Sequence, residues 1–353
     1  PIDRALKDFK NEIRHVIVHT GQHYDAVMSD QFFDDLEMPE PGYFLNVGSG
    51  THAEQTAKIM MGFESICLND RPDLVIVVGD VNSTLACALT AKKLCIDVVH
   101  VEAGLRSGDR SMPEELNRLA TDAIVDYAFT SEPAGIEHLL REGWSERKIK
   151  FVGNTMIDSQ HFALQRAEAS NILEELGLEA QNYVLVTLHR PSNVDDNAQL
   201  SDLLDALLQL SKKIKIVFPA HPRSIARMES FGLMDKIKTH RNFQLIGPQG
   251  YVRFLRLSSS SKFIITDSGG LQEESTALGV TCLTVRTTTE RPITVDLGTN
   301  SLVTPTGNAL LEASEEVLAG NTNKGKVPMF WDGHTGQRIA RRIHAILYPQ
   351  QDN

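Results

Sequence analysis

The stretch 261–274, SKFIITDSGGLQEE, constrains the fold more than any other part of the chain. Phe263–Thr266 is a short β-branched apolar run of the kind that forms a buried parallel strand. Residues 267–270 (DSGG) turn the chain sharply, and 271–278 (LQEESTAL) reads as a helix closed by Gly279. Strand, glycines and helix start aim unpaired backbone N–H groups and the positive end of a helix dipole at one point. Such a point attracts phosphate, and glycine lets a diphosphate approach the backbone closely. Glu274, one turn in, could accept hydrogen bonds from ribose hydroxyls. An ordinary strand–turn–helix is the plain alternative. The next run, 280–286, leads into a second polar loop, 287–292 (TTTERP), whose Arg291 would meet the first loop at the carboxyl edge of an α/β sheet. That tips the reading toward an anion site.

The remaining strands repeat the pattern of an apolar run ending in a polar loop. In 183–188 (YVLVTL) the run leads into His189 and Arg190, and in 215–218 into His221 and Arg223. These are the donors wanted around a diphosphate. The run 243–246 leads into GPQGY, where Gln249, with Phe254 shortly after, could recognise and stack on a base. Earlier in the chain, 74–78 (LVIVV) ends in GDVNST and 98–101 in EAGLR. Asp80 is either a turn or N-cap residue or a catalytic one. Glu102, at the last turn of a central strand, is costly unless paired or used, which favours use. The spacing predicts a helix over 113–127 with Leu116, Leu119, Ala120, Ala123, Ile124 and Tyr127 as its core stripe. Glu114 and Arg118 fall on its other face, as a surface ion pair or as the lining of a cleft. The run 15–19 (HVIVH) predicts a strand followed by TGQHY, whose His23 is a ligand contact or merely solvated. Helices are also expected over 2–9, 52–68, 160–176 and 336–347.

These elements predict an α/β chain of two Rossmann-like, doubly wound domains facing a cleft. The first spans 1–158, carries the acid/base residues and is completed by the helix in 336–353; the second spans 159–335 and binds the nucleotide. The cleft would bring Asp80, Glu102 and Glu114 opposite His189, His221, Ser268, Gly269, Gly270 and Arg291, which implies chemistry on a group attached to a nucleoside diphosphate, such as a nucleotide sugar. Lys+Arg 35 against Asp+Glu 46 leaves a net charge of −11, which argues against nucleic acid as a partner. The four cysteines form no CxxC pair and sit among apolar residues, as in a reduced cytoplasmic protein. No apolar run approaches a membrane span.

The motifs TGQH (20–23), GDVNST (79–84), VEAGLRS (101–107), MPEELNR (112–118), TLHRP (187–191), DSGGLQEE (267–274) and TTERP (288–292) resemble, in order and spacing, those of the non-hydrolysing UDP-N-acetylglucosamine 2-epimerases. The resemblance implies the GT-B type of fold, a homodimer, and no metal or redox cofactor. It implies that Asp80, Glu102 and Glu114 are the acid/base set, with Arg118 positioning Glu114, and that His189 stabilises departing UDP. It further implies diphosphate contacts from Ser268 and Gly270, ribose contacts from Glu274, uracil contacts from Gln249 and Phe254, and Arg291 on the nucleotide and sugar side. Related enzymes act on 2,3-diacetamido uronic acid nucleotides, and a GT-B glycosyltransferase would share the fold, so both stay as alternatives. Departures are Val81 for threonine, Ile293 for glutamate, and TGQHYD for the GQHRE form found where the substrate also activates. Gln22 and His23 are the candidate activator contacts that persist. Family members open with a strand and a Gly-x-Arg-Pro turn, so a preceding segment of roughly 15–20 residues is expected.

Overall fold

Apolar, β-branched runs set the strands, and the structure, a computed structural model, describes residues 1–21 and 35–349. The chain divides into two units, Pro1–Ser159 with Met329–Asn353, and Gln160–Pro328. The first unit holds β1 (Val18–His19), β2 (Tyr43–Phe44), β3 (Leu74–Val78), β4 (Asp97–Val101), β5 (Tyr127–Thr130) and β6 (Ile149–Phe151). The second holds β7 (Tyr183–Thr187), β8 (Lys215–Pro219), β9 (Phe243–Ile246), β10 (Phe263–Thr266), β11 (Cys282–Val285) and β12 (Asn300–Val303).

In the first unit β3-β4-β5-β6 form one parallel sheet, with β3 and β4 in register from Leu74↔Asp97 to Val78↔Val101. Alternation along β4 sends Val98 into a core with Ile59, Phe63 and Cys67, and Val99 and Val101 into another with Phe129, Ile339 and Ile343. Helices therefore cover both faces, as a parallel sheet requires. One cover is the Thr335–Leu347 helix, which buries Thr335, Gly336, Ile339, Ala340 and Ile343 at helical spacing. It packs on the Ile2–Leu6 helix, where a Cβ on Gly336 would lie 2.9 Å from the Pro1 carbonyl oxygen.

Several expectations in this unit change. Only Val18–His19 of the run 15–19 is paired, and it pairs with β2 as a separate two-stranded parallel sheet. The helix expected over 113–127 ends at Asp122, because the Ile124 and Val125 amides both turn back to the Thr121 carbonyl before β5 begins. Its stripe is only partly seated, with Ile124 and Tyr127 packed on the cores and Leu119 and Ala120 half-buried. Leu116 is 46 % exposed and Ala123 is exposed, whereas Glu115, Asn117, Arg118, Thr121 and Asp122 are buried. Of the cysteines, Cys95 is exposed and the other three are buried.

The second unit is one six-stranded parallel sheet in the order β12-β11-β10-β7-β8-β9. From β7 the chain builds outward through β8 and β9, then returns to add β10, β11 and β12 on the other side. The connection reverses between β7 and β10, and in such sheets the crevice beyond that reversal is where ligands bind. The sequence left β12 unmarked: Asn300 and Ser301 interrupt its apolar pattern, and Asn300 is buried in side-chain bonds to Thr284, Gln272 and Thr294. The helical stretch expected over 160–176 resolves into Thr155–Glu168 and Ile172–Glu175. The α/β reading with two parallel-sheet units holds.

Candidate active site

In the second unit the crevice between β7 and β10 is assembled from the backbone outward. Thr187 and Thr266 face each other across the ladder with their hydroxyls 2.7 Å apart. One step beyond, Asp267 is wholly buried and accepts from the His189 and Arg190 amides and from Asn193 Nδ2 at 2.9–3.2 Å. Burial alone would lift this carboxyl, but these bonds and the His189 imidazole hold it below the usual range. His189 Nδ1 lies 2.9 Å from Asp267 Oδ1, so the acid fixes the ring through that nitrogen. Asp267 thus orients His189, a role that reading the DSGG turn as a turn did not assign.

Beside His189 the Gly269–Leu278 helix begins, with Ser268 as an N-cap that makes no side-chain capping bond. A Cβ on Gly269 would lie 2.5 Å from Glu290 Oε1, so the Glu290 carboxylate sits against the amino end of this helix. Burial works against ionised Glu290, yet the hydrogen bond and charge of Arg286 and the charge of Arg291 bring its carboxyl down to about 2. Arg291 is buried and pairs with Glu273, Nε to Oε1 3.0 Å. Glu274, 7 % exposed, receives the Tyr251 hydroxyl at 2.7 Å, and its burial lifts the carboxyl to about 7. His221 caps its own helix by accepting the Arg223 amide at 3.1 Å, and its ring lies 5.7 Å from that of His189. The Gln249 amide is held locally, donating to the Gly247 carbonyl and accepting from Arg253, and Phe254 is half-buried against the core.

In the first unit Asp80 and Glu102 follow the paired ends of β3 and β4. Gly79, at φ +72°, donates its amide to the Val101 carbonyl. Asp80 is not the N-cap of the Asn82–Lys93 helix, a place taken by Val81. Its Oδ2 instead accepts Arg118 Nε at 3.0 Å and Nη2 at 2.7 Å, and its carbonyl accepts Asn117 Nδ2 at 2.9 Å. Arg118 also donates to Glu115 at 2.7 Å, and Glu115 accepts the Ser107 and Gly108 amides. Burial opposes the Glu115 charge, and these donors outweigh it, holding the carboxyl below its ordinary value. Arg118 therefore organises Asp80 and Glu115 rather than Glu114. Glu114 is half-buried in the first helical turn, with no ion pair among the described residues. Glu102 has φ +68°, a strained conformation for a residue with a Cβ, and accepts the Thr155 hydroxyl at 3.3 Å. Among the described residues no cluster of three His, Cys, Asp or Glu could hold a metal ion, and no helix is long and apolar enough to cross a membrane. Gln22 and His23 lie outside the described residues.

Comparison with known proteins identifies the family. The family model described as UDP-N-acetylglucosamine 2-epimerase matches residues 5–344. A UDP-N-acetylglucosamine 2-epimerase of Methanocaldococcus jannaschii is 43 % identical over 346 residues, 97 % of this chain and 93 % of the relative. A Pseudomonas aeruginosa UDP-2,3-diacetamido-2,3-dideoxy-D-glucuronate 2-epimerase is 38 % identical over 335 residues, 94 % of this chain and 91 % of the relative. The crystal structure of the M. jannaschii enzyme in complex with UDP-GlcNAc and UDP superposes with a TM-score of 0.88 at 44 % identity, covering 97 % of this chain and 94 % of that one. With both units matched nearly end to end, the chain belongs to the UDP-N-acetylglucosamine 2-epimerase family.

Proposed function

We propose that the protein interconverts UDP-N-acetylglucosamine and UDP-N-acetylmannosamine by inverting C2, through anti-elimination of UDP and its re-addition to 2-acetamidoglucal. The observation that carries this reading is the pair of carboxylates at adjacent strand ends, Asp80 gripped by Arg118 and Glu102 in a strained backbone. Binding a nucleotide needs neither.

The C2 proton of an N-acetylhexosamine is too weakly acidic for a carboxylate to remove directly. Departure of UDP takes the C1–O bonding electrons and builds cationic character at C1, which acidifies the neighbouring C–H. A carboxylate then takes the C2 proton, and its bonding electrons become the C1=C2 double bond. Inversion needs a proton delivered to the other face while UDP returns to C1, so a second, protonated acid must work opposite the first. Asp80, Glu102 and Glu114 are the candidates for these roles, with Arg118 acting on Asp80. In the second unit, His189, oriented by Asp267, supports the leaving diphosphate. Ser268, Gly269 and Gly270 bind its oxygens through the helix end, aided by His221 and Arg291. Glu274 takes the ribose hydroxyls, and Gln249 and Phe254 the base.

The P. aeruginosa relative supports a second reading for the sugar, a 2,3-diacetamido uronic acid on the same nucleotide. An NMR time course with each UDP-sugar, in D2O and without acceptor, tests both. Deuterium should enter C2 of both epimers. Epimerisation with full retention of protium at C2 would sink the elimination route, and turnover only with an acceptor would mean a transferase.

A further inference from the structure

His100 is the next-to-last residue of β4 and has no exposed surface. Its Nδ1 lies 2.6 Å from Asp122 Oδ1, and its Nε2 lies 2.8 Å from the Gly79 carbonyl oxygen. A carbonyl oxygen only accepts. Asp122 is kept ionised by the Gly104 amide and Arg106, both donating to Oδ2, at 3.0 and 2.8 Å. A neutral ring carries one N–H and would turn a lone pair on one of these acceptors, so the contacts require both nitrogens to be protonated. The grip falls at a sensitive place. Gly79 is in the left-handed region, its amide is held by Val101, and its carbonyl opens the peptide into Asp80. His100 thereby completes the hold on that turn begun by Asn117 and Arg118 from the Pro113–Asp122 helix.

We propose that His100 is a positioning residue for the reaction: as a buried imidazolium it clamps the Gly79–Asp80 peptide against Asp122 and sets a fixed positive charge between the Asp80 and Glu102 segments. This rests on the reading of Asp80 and Glu102 as acid/base groups. Burial alone would strip the ring of its proton. The Asp122 charge and bond, the Gly79 carbonyl and the Glu102 charge outweigh it and raise the ring's affinity for the proton. Arg106, shared between Asp122 and Glu142, adds a further charge to this cluster.

Two measurements on the full chain test the proposal. Histidine-labelled ¹⁵N NMR should show one ring with both nitrogens protonated at about pH 8, well above the ordinary histidine range. His100→Phe removes tether and charge, whereas His100→Gln keeps a donor toward Gly79 without the charge. His100→Phe should lower kcat by about 10²-fold, the size expected when reacting groups are misplaced, with UDP affinity unchanged. His100→Gln should recover part of that rate, with the acidic limb of its kcat–pH profile moved upward for want of the cation. An active parent enzyme whose ring at this position is neutral, or a folded His100→Phe protein with parental kcat and pH profile, would overturn the role of His100. If both variants fail to fold, the NMR result on the parent decides. A parent that turns over neither UDP-sugar, though its ring is doubly protonated, would overturn the reading of the reaction instead.

Discussion

Glu274 is a carboxyl group in a place that excludes water, and its effect on stability has a definite sign. Burial lifts it from 4.5 to about 7, against the opposing pull of the Tyr251 hydroxyl. Between those values the unfolded chain releases its proton first, so stability falls as pH rises through 4.5 and levels off above about 7. The shift corresponds to roughly 3 kcal/mol at most. Glu274→Gln, which cannot ionise, should match the parent's Tm at about pH 4.5 and exceed it at about pH 8; equal curves in scanning calorimetry would mean that the carboxyl ionises freely. The same exchange should weaken UDP if Glu274 takes the ribose. Arg118 poses the reverse case, a cation shared between two acids. Arg118→Ala leaves Glu115 buried beside an unpaired Asp80, and should destabilise by on the order of 3 kcal/mol as well as lowering kcat. Urea unfolding resolves this: the transition of the first unit should move and that of the second should not.

At the scale of the element, the Pro113–Asp122 helix is built for its neighbours' loops rather than for the core. Glu115 holds the Ser107 and Gly108 amides, Asn117 the Asp80 carbonyl, Arg118 the Asp80 carboxylate, and Asp122 the Gly104 amide and His100. Leu116→Ala, on the exposed side, should therefore change stability by less than about 0.5 kcal/mol. Gly104→Ala should cost far more, since Gly104 has φ +81° and its new Cβ would lie 2.3 Å from the Gly135 carbonyl oxygen. Thermal unfolding of the two variants side by side checks the contrast; a large loss in Leu116→Ala would restore the apolar stripe to the core. The strands and the polar loops at their ends were legible because buried parallel strands are unbroken apolar runs, as in 74–78 and 183–187, and each polar loop follows where the run stops. The burial of this helix's polar side was not. Periodicity reports where apolar residues recur, and it cannot weigh a polar side chain that finds partners 22 or 38 residues away, as Asp122 and Arg118 do. For the same reason His100 read only as one more residue of a strand, and β12, held by Asn300, did not read as a strand.

On the scale of the whole molecule, the first unit is discontinuous, with Gln160–Pro328 set between its parts. Its core needs Ile339, Ala340 and Ile343 from the Thr335–Leu347 helix against Leu6, Val99 and Phe129. A protein ending at Pro328 should therefore lose the cooperative unfolding of the first unit while the six-stranded sheet of the second still melts as one transition. Circular dichroism and amide exchange on that truncation would show it; two intact transitions would mean that the helix is dispensable. The same feature sets an order on the ribosome. Domains generally fold in the order in which they are made, N-terminal first. Here the N-terminal sheet is synthesised early, but one of its faces has only Ala5 and Leu6 of its buried cover until the Thr335–Leu347 helix has emerged. The inserted unit has all of its strands by Val303, so it can close while the earlier one is still waiting for its cover. During that interval Val99, Val101 and Phe129 are only partly covered, and the protein's exposure to aggregation rises the longer the Thr335–Leu347 helix takes to be made.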